Sequence, residues 1–165
     1  MGEPRNQLWR LDASLREEVV VIGDVEYILR EATGEAATKY RNATLKNIEF
    51  REGNFLSDPI GSGYDLVFIS HICHSFSEKE NRFIIEKARD ALNNGGKIAI
   101  QEFYIENNRT SPAPSALFSI NMLVNTESGR CYSPQEIKGW LSEAGFGSVR
   151  DKRLQETVLV FGKKK

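Results

Sequence analysis

The chain has 165 residues, 40% of them hydrophobic and 27% charged, which is enough for one domain with a buried core and too few for two. Its 22 Lys and Arg balance 23 Asp and Glu, so no overall field favours nucleic acid or an acidic membrane surface. No apolar run approaches the roughly 20 residues that cross a bilayer, and Met1 to Arg16 lacks the apolar stretch of a signal peptide. Two cysteines, Cys73 and Cys131, are too few for a disulfide framework and suit a reducing compartment, so the expectation is a cytoplasmic domain.

In chain order, Val19 to Ile22 is a short β-branched run of the kind buried on both faces of a sheet, ended by Gly23-Asp24. From Val25 to about Tyr40 the residues favour helix, with Val25, Ile28, Leu29 and Ala32 on one face. Ile48 to Arg51 reads as a second strand broken by Gly53-Asn54, and Asp58 to Gly63 as a turn. Asp65 to Ser70 is the strongest strand signal. Glu78 to Leu92 follows as a helix, with Asn93-Asn94-Gly95-Gly96 as its left-handed stop. Lys97 to Phe103 is the next strand, Asn107 to Pro114 a loop, and Ser115 to Val124 an apolar helix. Ser133-Pro134-Gln135-Glu136 is a capping box that starts the last helix, which ends at Ala144-Gly145. Ser148 to Arg153 and Glu156 to Phe161 lie close enough in sequence to pair as a hairpin. Alternating strands and helices imply an α/β, Rossmann-like, mostly parallel sheet with helices on both faces. The closing hairpin implies one antiparallel strand at an edge.

Ligands of open parallel sheets bind outside the carboxyl ends of the strands. Asp24, Asn54, Ser70, His74 and Glu102 all stand at or just past such ends and should gather along one edge. His71, Cys73 and His74 match no usual zinc spacing and lack a second ligand pair, so no metal is expected from them.

Three local sequences narrow the family. Tyr64-Asp65-Leu66-Val67 running into Ser70-His71-Ile72-Cys73-His74-Ser75-Phe76 resembles the signature of small-molecule O-methyltransferases of the class I, S-adenosylmethionine-dependent fold. Leu92-Asn93-Asn94-Gly95-Gly96-Lys97 is similar to the helix stop before that family's fifth strand. Asn121 to Thr126, then Gly129-Arg130 and Tyr132-Ser133, resembles its substrate-lining helix and the loop that follows. On this resemblance residues 18–163 form a partial methyltransferase-like domain, preceded by an arm at 1–17.

The resemblance implies S-adenosylmethionine as cofactor and a small hydroxylated molecule as acceptor. It implies that Asp24 accepts hydrogen bonds from the cofactor ribose, the alternative being a helix N-cap before Val25. Asn54-Phe55 would face the adenine, Asn54 standing where the family usually has Asp; alternatively they are a polar turn residue beside a core Phe. Ser70 is the further cofactor contact. His74 matches the catalytic base, a role imidazole suits because it titrates near neutrality; the alternative is a His bonded to local backbone. Glu102 matches the carboxylate that orients that base, or else faces solvent at a loop edge. Met122 and Asn125 match substrate-lining positions, or are ordinary helix core. Cys131 stands at or near the point where many relatives carry a second Glu beside the base. His71 is expected to be structural.

The family's glycine-rich cofactor turn after the first strand is not found, so the fold is expected to be incomplete at its N-terminal end. The strands that would flank that first strand are left with unpaired edges, from which self-association, including by exchange of segments, is expected. Three functions remain open from sequence: an O-methyltransferase, a non-catalytic remnant or interaction module of that fold, and one piece of a split enzyme.

Overall fold

The structure, a computed structural model, describes residues 17–22, 25–30 and 53–165. It divides into two compact units, residues 1–52 and 53–165. In the first, β1 (Glu17–Ile22) and β2 (Val25–Arg30) pair antiparallel, from Glu17 opposite Arg30 to Ile22 opposite Val25. The helix expected from Val25 is therefore replaced, as far as Arg30, by a strand. Val25, Tyr27 and Ile28 are β-branched or aromatic, and only Gly23 and Asp24 separate the two runs in sequence, the spacing of a tight hairpin. Asp24, the strand expected at Ile48 to Arg51, and the rest of the expected helix lie outside the described residues.

The second unit is built on β4 (Leu92–Phe103), whose alternating residues Ile98 and Ile100 are fully buried. It pairs in parallel with β3 (Tyr64–Ser70), Leu66 opposite Lys97 through Ser70 opposite Gln101. On its other side it pairs antiparallel with β6 (Thr157–Lys164), which in turn pairs antiparallel with β5 (Phe146–Leu154), giving the order β3-β4-β6-β5. The antiparallel strand is thus inside the sheet and not at its edge. β6 carries the fully buried Val158 and Val160, whereas β5 carries Arg150-Asp151-Lys152-Arg153, charges that suit an edge and discourage further pairing.

Helix α1 (Glu78–Ala91) begins with a capping box, Ser77 accepting from Glu80 N–H while the Glu80 carboxylate accepts from Ser77 N–H. It leaves through an extended Leu92 (φ −78°, ψ 144°), and the left-handed conformation falls later, at Gly95 (φ 79°). Gly96 is required by close approach, since a Cβ there would lie 2.9 Å from Asn93 O and 3.2 Å from Tyr64 O. Helix α2 (Ala113–Asn125) starts one residue after Pro112. Helix α3 (Pro134–Glu143) carries the second capping box, Ser133 with Glu136. α1 and α3 pack against the sheet and each other, burying Ile84, Ile85, Ala88, Ile137, Trp140 and Leu141 against Ile98, Ile100, Val158 and Val160. No helix among the described residues is long and apolar enough to cross a membrane.

Candidate active site

The period-2 pattern of β4 carries the face of Ile98 and Ile100 on to Glu102, which is 2% exposed. A carboxylate in such a place needs donors, and the chain supplies two. Cys73 N–H donates to Glu102 Oε1 at 2.7 Å, and His74 Nδ1 lies 2.8 Å from Glu102 Oε2. Both donors sit on a single 3₁₀ turn, Cys73–Ser75, just past the end of β3. Because β3 and β4 run parallel and Ser70 is opposite Gln101, the turn after one strand arrives beside the end of the other. With Nδ1 engaged by Glu102, the second ring nitrogen is the one able to exchange a proton with a bound molecule.

The turn is braced from below. Asn81 Nδ2 donates to Cys73 O at 2.9 Å and Phe76 O at 3.2 Å, and Tyr132 Oη donates to Phe76 O at 2.7 Å. Gly129 rests on the same segment so closely that a Cβ there would fall 2.3 Å from His74 O. Aromatic rings form the wall: Phe118 of α2 stands edge-on to His74 at 5.0 Å, and Phe103 is 4.5 Å from Phe118. Asn81 and Phe118 escape the sequence reading; Phe103 entered it only as the last residue of a strand, and Gly129 and Tyr132 only within the family motif. Asn81 carried a signal nonetheless, as a polar residue on the buried stripe of α1 with Ile84, Ile85 and Ala88.

Of the residues singled out from sequence, His74 and Glu102 meet directly. Glu102 is buried and does not face solvent, and the His74 ring meets its carboxylate through Nδ1. Ser70 closes β3 half-buried beside them. Asn54 forms a local turn, its Oδ1 accepting from Leu56 N–H at 2.9 Å, and Phe55 is 39% exposed, so it is not a core residue. Phe55 reaches the His74 segment through an edge contact with Phe76 at 5.5 Å. It also lines an apolar cavity of about 310 Å³ with Ile60, Leu66 and Ile72. Met122 is half-buried on α2, while Asn125 is exposed and bonded to Asn121.

Cys131 is buried, its N–H bonded to Ser119 Oγ at 3.0 Å. Burial first, and then the nearby Glu102 charge, push its thiol up to about 12 from an ordinary 9.0. The same two causes raise Cys73 well above its ordinary value. Burial thus disfavours the thiolate at both sulfurs.

With this geometry in view, the comparisons with known proteins fall on the same residues. A family model of the O-methyltransferase domain matches residues 22–147. The chain belongs to the O-methyltransferase family. It is 40% identical over 106 residues to 3-hydroxy-5-methyl-1-naphthoate 3-O-methyltransferase of Streptomyces sahachiroi, a match covering 64% of this chain and 30% of that protein. To the tetracenomycin polyketide synthesis 8-O-methyl transferase of Streptomyces glaucescens it is 36% identical, over 65% of this chain and 31% of the relative. Among solved structures, human N-acetylserotonin methyltransferase in complex with S-adenosylmethionine aligns with TM-score 0.69 and 27% identity, over 76% of this chain and 36% of that one. The chain thus spans about a third of the length of the curated relatives it matches.

The buried thiol and phenol give a signed pH dependence. In the fold Cys131 and Tyr132 hold their protons up to about 12, Tyr132 chiefly because of its burial, whereas the unfolded chain loses them near 9.0 and 10.0. Between these limits the unfolded state binds fewer protons, so stability is complete below pH 9 and falls as pH rises. Urea unfolding midpoints should therefore drop steadily above pH 9; a midpoint that stays level or rises there would contradict the burial of these groups.

Proposed function

We propose that this chain is the catalytic-base part of an S-adenosylmethionine-dependent O-methyltransferase acting on the hydroxyl of a small aromatic acceptor. The observation that carries this reading is the buried His74 Nδ1 to Glu102 Oε2 contact of 2.8 Å, with an aromatic wall beside it. His74 is the general base. Its free nitrogen takes the hydroxyl proton as the acceptor oxygen attacks, and Glu102 steadies the imidazolium that forms. S-adenosylmethionine, when bound, supplies a methyl group on a positively charged sulfur.

The residues present suit that cofactor. Phe55 offers an exposed ring at the mouth of an apolar cavity whose volume is at the small end of the ligand range. Asn54 Oδ1, already accepting one hydrogen bond, keeps a second lone pair for an adenine amino group. Ser70 is the remaining cofactor contact of this unit in this reading. Phe103 and Phe118 give the base an apolar, aromatic neighbourhood, which suits an aromatic acceptor such as the naphthoate named for one relative. Met122 and Asn125 extend the acceptor-lining face of α2.

Calorimetric titration with S-adenosylmethionine is expected to give saturable binding, and His74→Ala to lower turnover by roughly 10²- to 10⁴-fold while leaving cofactor affinity nearly unchanged. No heat and no thermal shift with the cofactor would sink the autonomous enzyme and leave a non-catalytic module or one piece of a split enzyme. Weakened cofactor binding in His74→Ala would show that the residue was misassigned.

We further propose that copies of the chain self-associate. Two features support this: β3 is paired only on its β4 side among the described strands, and α2 has no charged residue yet exposes Leu117, Ile120, Leu123 and Val124. Sedimentation equilibrium should give at least twice the monomer mass. Clean monomeric behaviour would count against it.

A further inference from the structure

His71 ends β3 in an unusual way. Its backbone lies in the left-handed region (φ 51°), uncommon for a residue with a side chain, while its N–H continues the ladder to Gln101 O at 2.9 Å. Its ring packs edge-on to Phe103 at 4.8 Å. Its Nδ1 is shut off from solvent and has no hydrogen-bond partner. A buried imidazole nitrogen left unpaired costs free energy, and its presence calls for a ligand or a reason.

The three-residue spacing of His71 and His74 matched no zinc pattern because the third donor is distant in sequence. The fold supplies it from β4. One donor atom from each of His71, His74 and Glu102 lies within 4.8 Å of the others. Two imidazoles and a carboxylate are the donor set of open zinc sites, which leave a fourth position free. Donors on a tetrahedral ion with bonds of about 2.1 Å stand roughly 3.4 Å apart, so closing the site needs a shift of about 1.4 Å shared among the three side chains.

We infer that His71, His74 and Glu102 form a binding site for a zinc-class divalent ion, and that the ion and methyl transfer are mutually exclusive. The ion displaces the proton shared by His74 and Glu102 and occupies the imidazole that transfer requires. His71 contributes an imidazole whose Nδ1 is buried without a partner. The exclusion of transfer rests on the reading of His74 as base; the binding of the ion does not.

The test uses the full chain. Titration with Zn²⁺ should give one ion per chain, and Co²⁺ in its place the intense visible absorption of four-coordinate cobalt. His71→Gln should weaken Zn²⁺ at least about tenfold and remove the cobalt band, with the zinc-free rate of methyl transfer unchanged. Glu102→Gln should do the same to the ion; if that variant fails to fold, the half-buried His71 position decides alone. Equal Zn²⁺ affinity in the wild type and His71→Gln, or a cobalt spectrum of the hydrated ion, would overturn the site. Zn²⁺ should inhibit transfer at the concentration at which it binds, and His71→Gln should raise both by the same factor. If the ion binds as stated and no transfer is detected without it, the ion site stands and the reading of this chain as an autonomous enzyme falls.

Discussion

A carboxylate buried at the end of a central strand governs the second unit. Glu102 continues the apolar row of Ile98 and Ile100, and an unpaired charge in that position would cost roughly several kcal/mol. Its compensation fixes the neighbourhood. The Cys73 N–H and the His74 ring must both reach it, so the segment after β3 folds into a tight turn, and Asn81, Tyr132 and Gly129 close around that turn. The interaction that satisfies the carboxylate is also the one that sets the orientation of the imidazole. Stability and chemistry are tied at one contact.

Cys131 sharpens the point. The family resemblance implies a second acidic residue near this position, which here would add a like charge beside Glu102 in a water-poor site. A thiol held protonated by burial avoids that repulsion, and Glu102 is the carboxylate bonded to the imidazole. Phe103 and Phe118 line the site with aromatic surface and add no charge. These features fit family membership over residues 22–147, while the activity of the whole relatives involves a length of chain about three times that matched here.

Strong local signals were legible in the sequence. The apolar run Asp65 to Ser70, the capping box at Ser133-Pro134-Gln135-Glu136 and the glycine after α3 all produced the elements they announce. The His74–Glu102 pair was visible because Glu102 stands near the end of one strand and His74 just past the end of its neighbour, where parallel pairing gathers side chains. Non-local pairing decided what remained hidden. Nothing near Thr157 to Lys164 says that this strand lies between β4 and β5; that follows from burying Val158 and Val160 on the interior side of charged β5. Val25 to Arg30 suits either helix or strand by composition, and its partner β1 resolves the choice. The bracing by Asn81 depends on carbonyls five and eight residues away, which a stripe pattern flags only as a polar residue out of place.

The contact between Glu102 and His74 is open to direct observation by nitrogen-15 NMR of the histidine rings at a pH where His74 is neutral. The contact places the His74 proton on Nδ1, directed at Glu102, with Nε2 as the unprotonated nitrogen, and this preference should be lost in Glu102→Gln. A His74 ring protonated on Nε2 in the wild type, or a tautomer unaffected by Glu102→Gln, would contradict it.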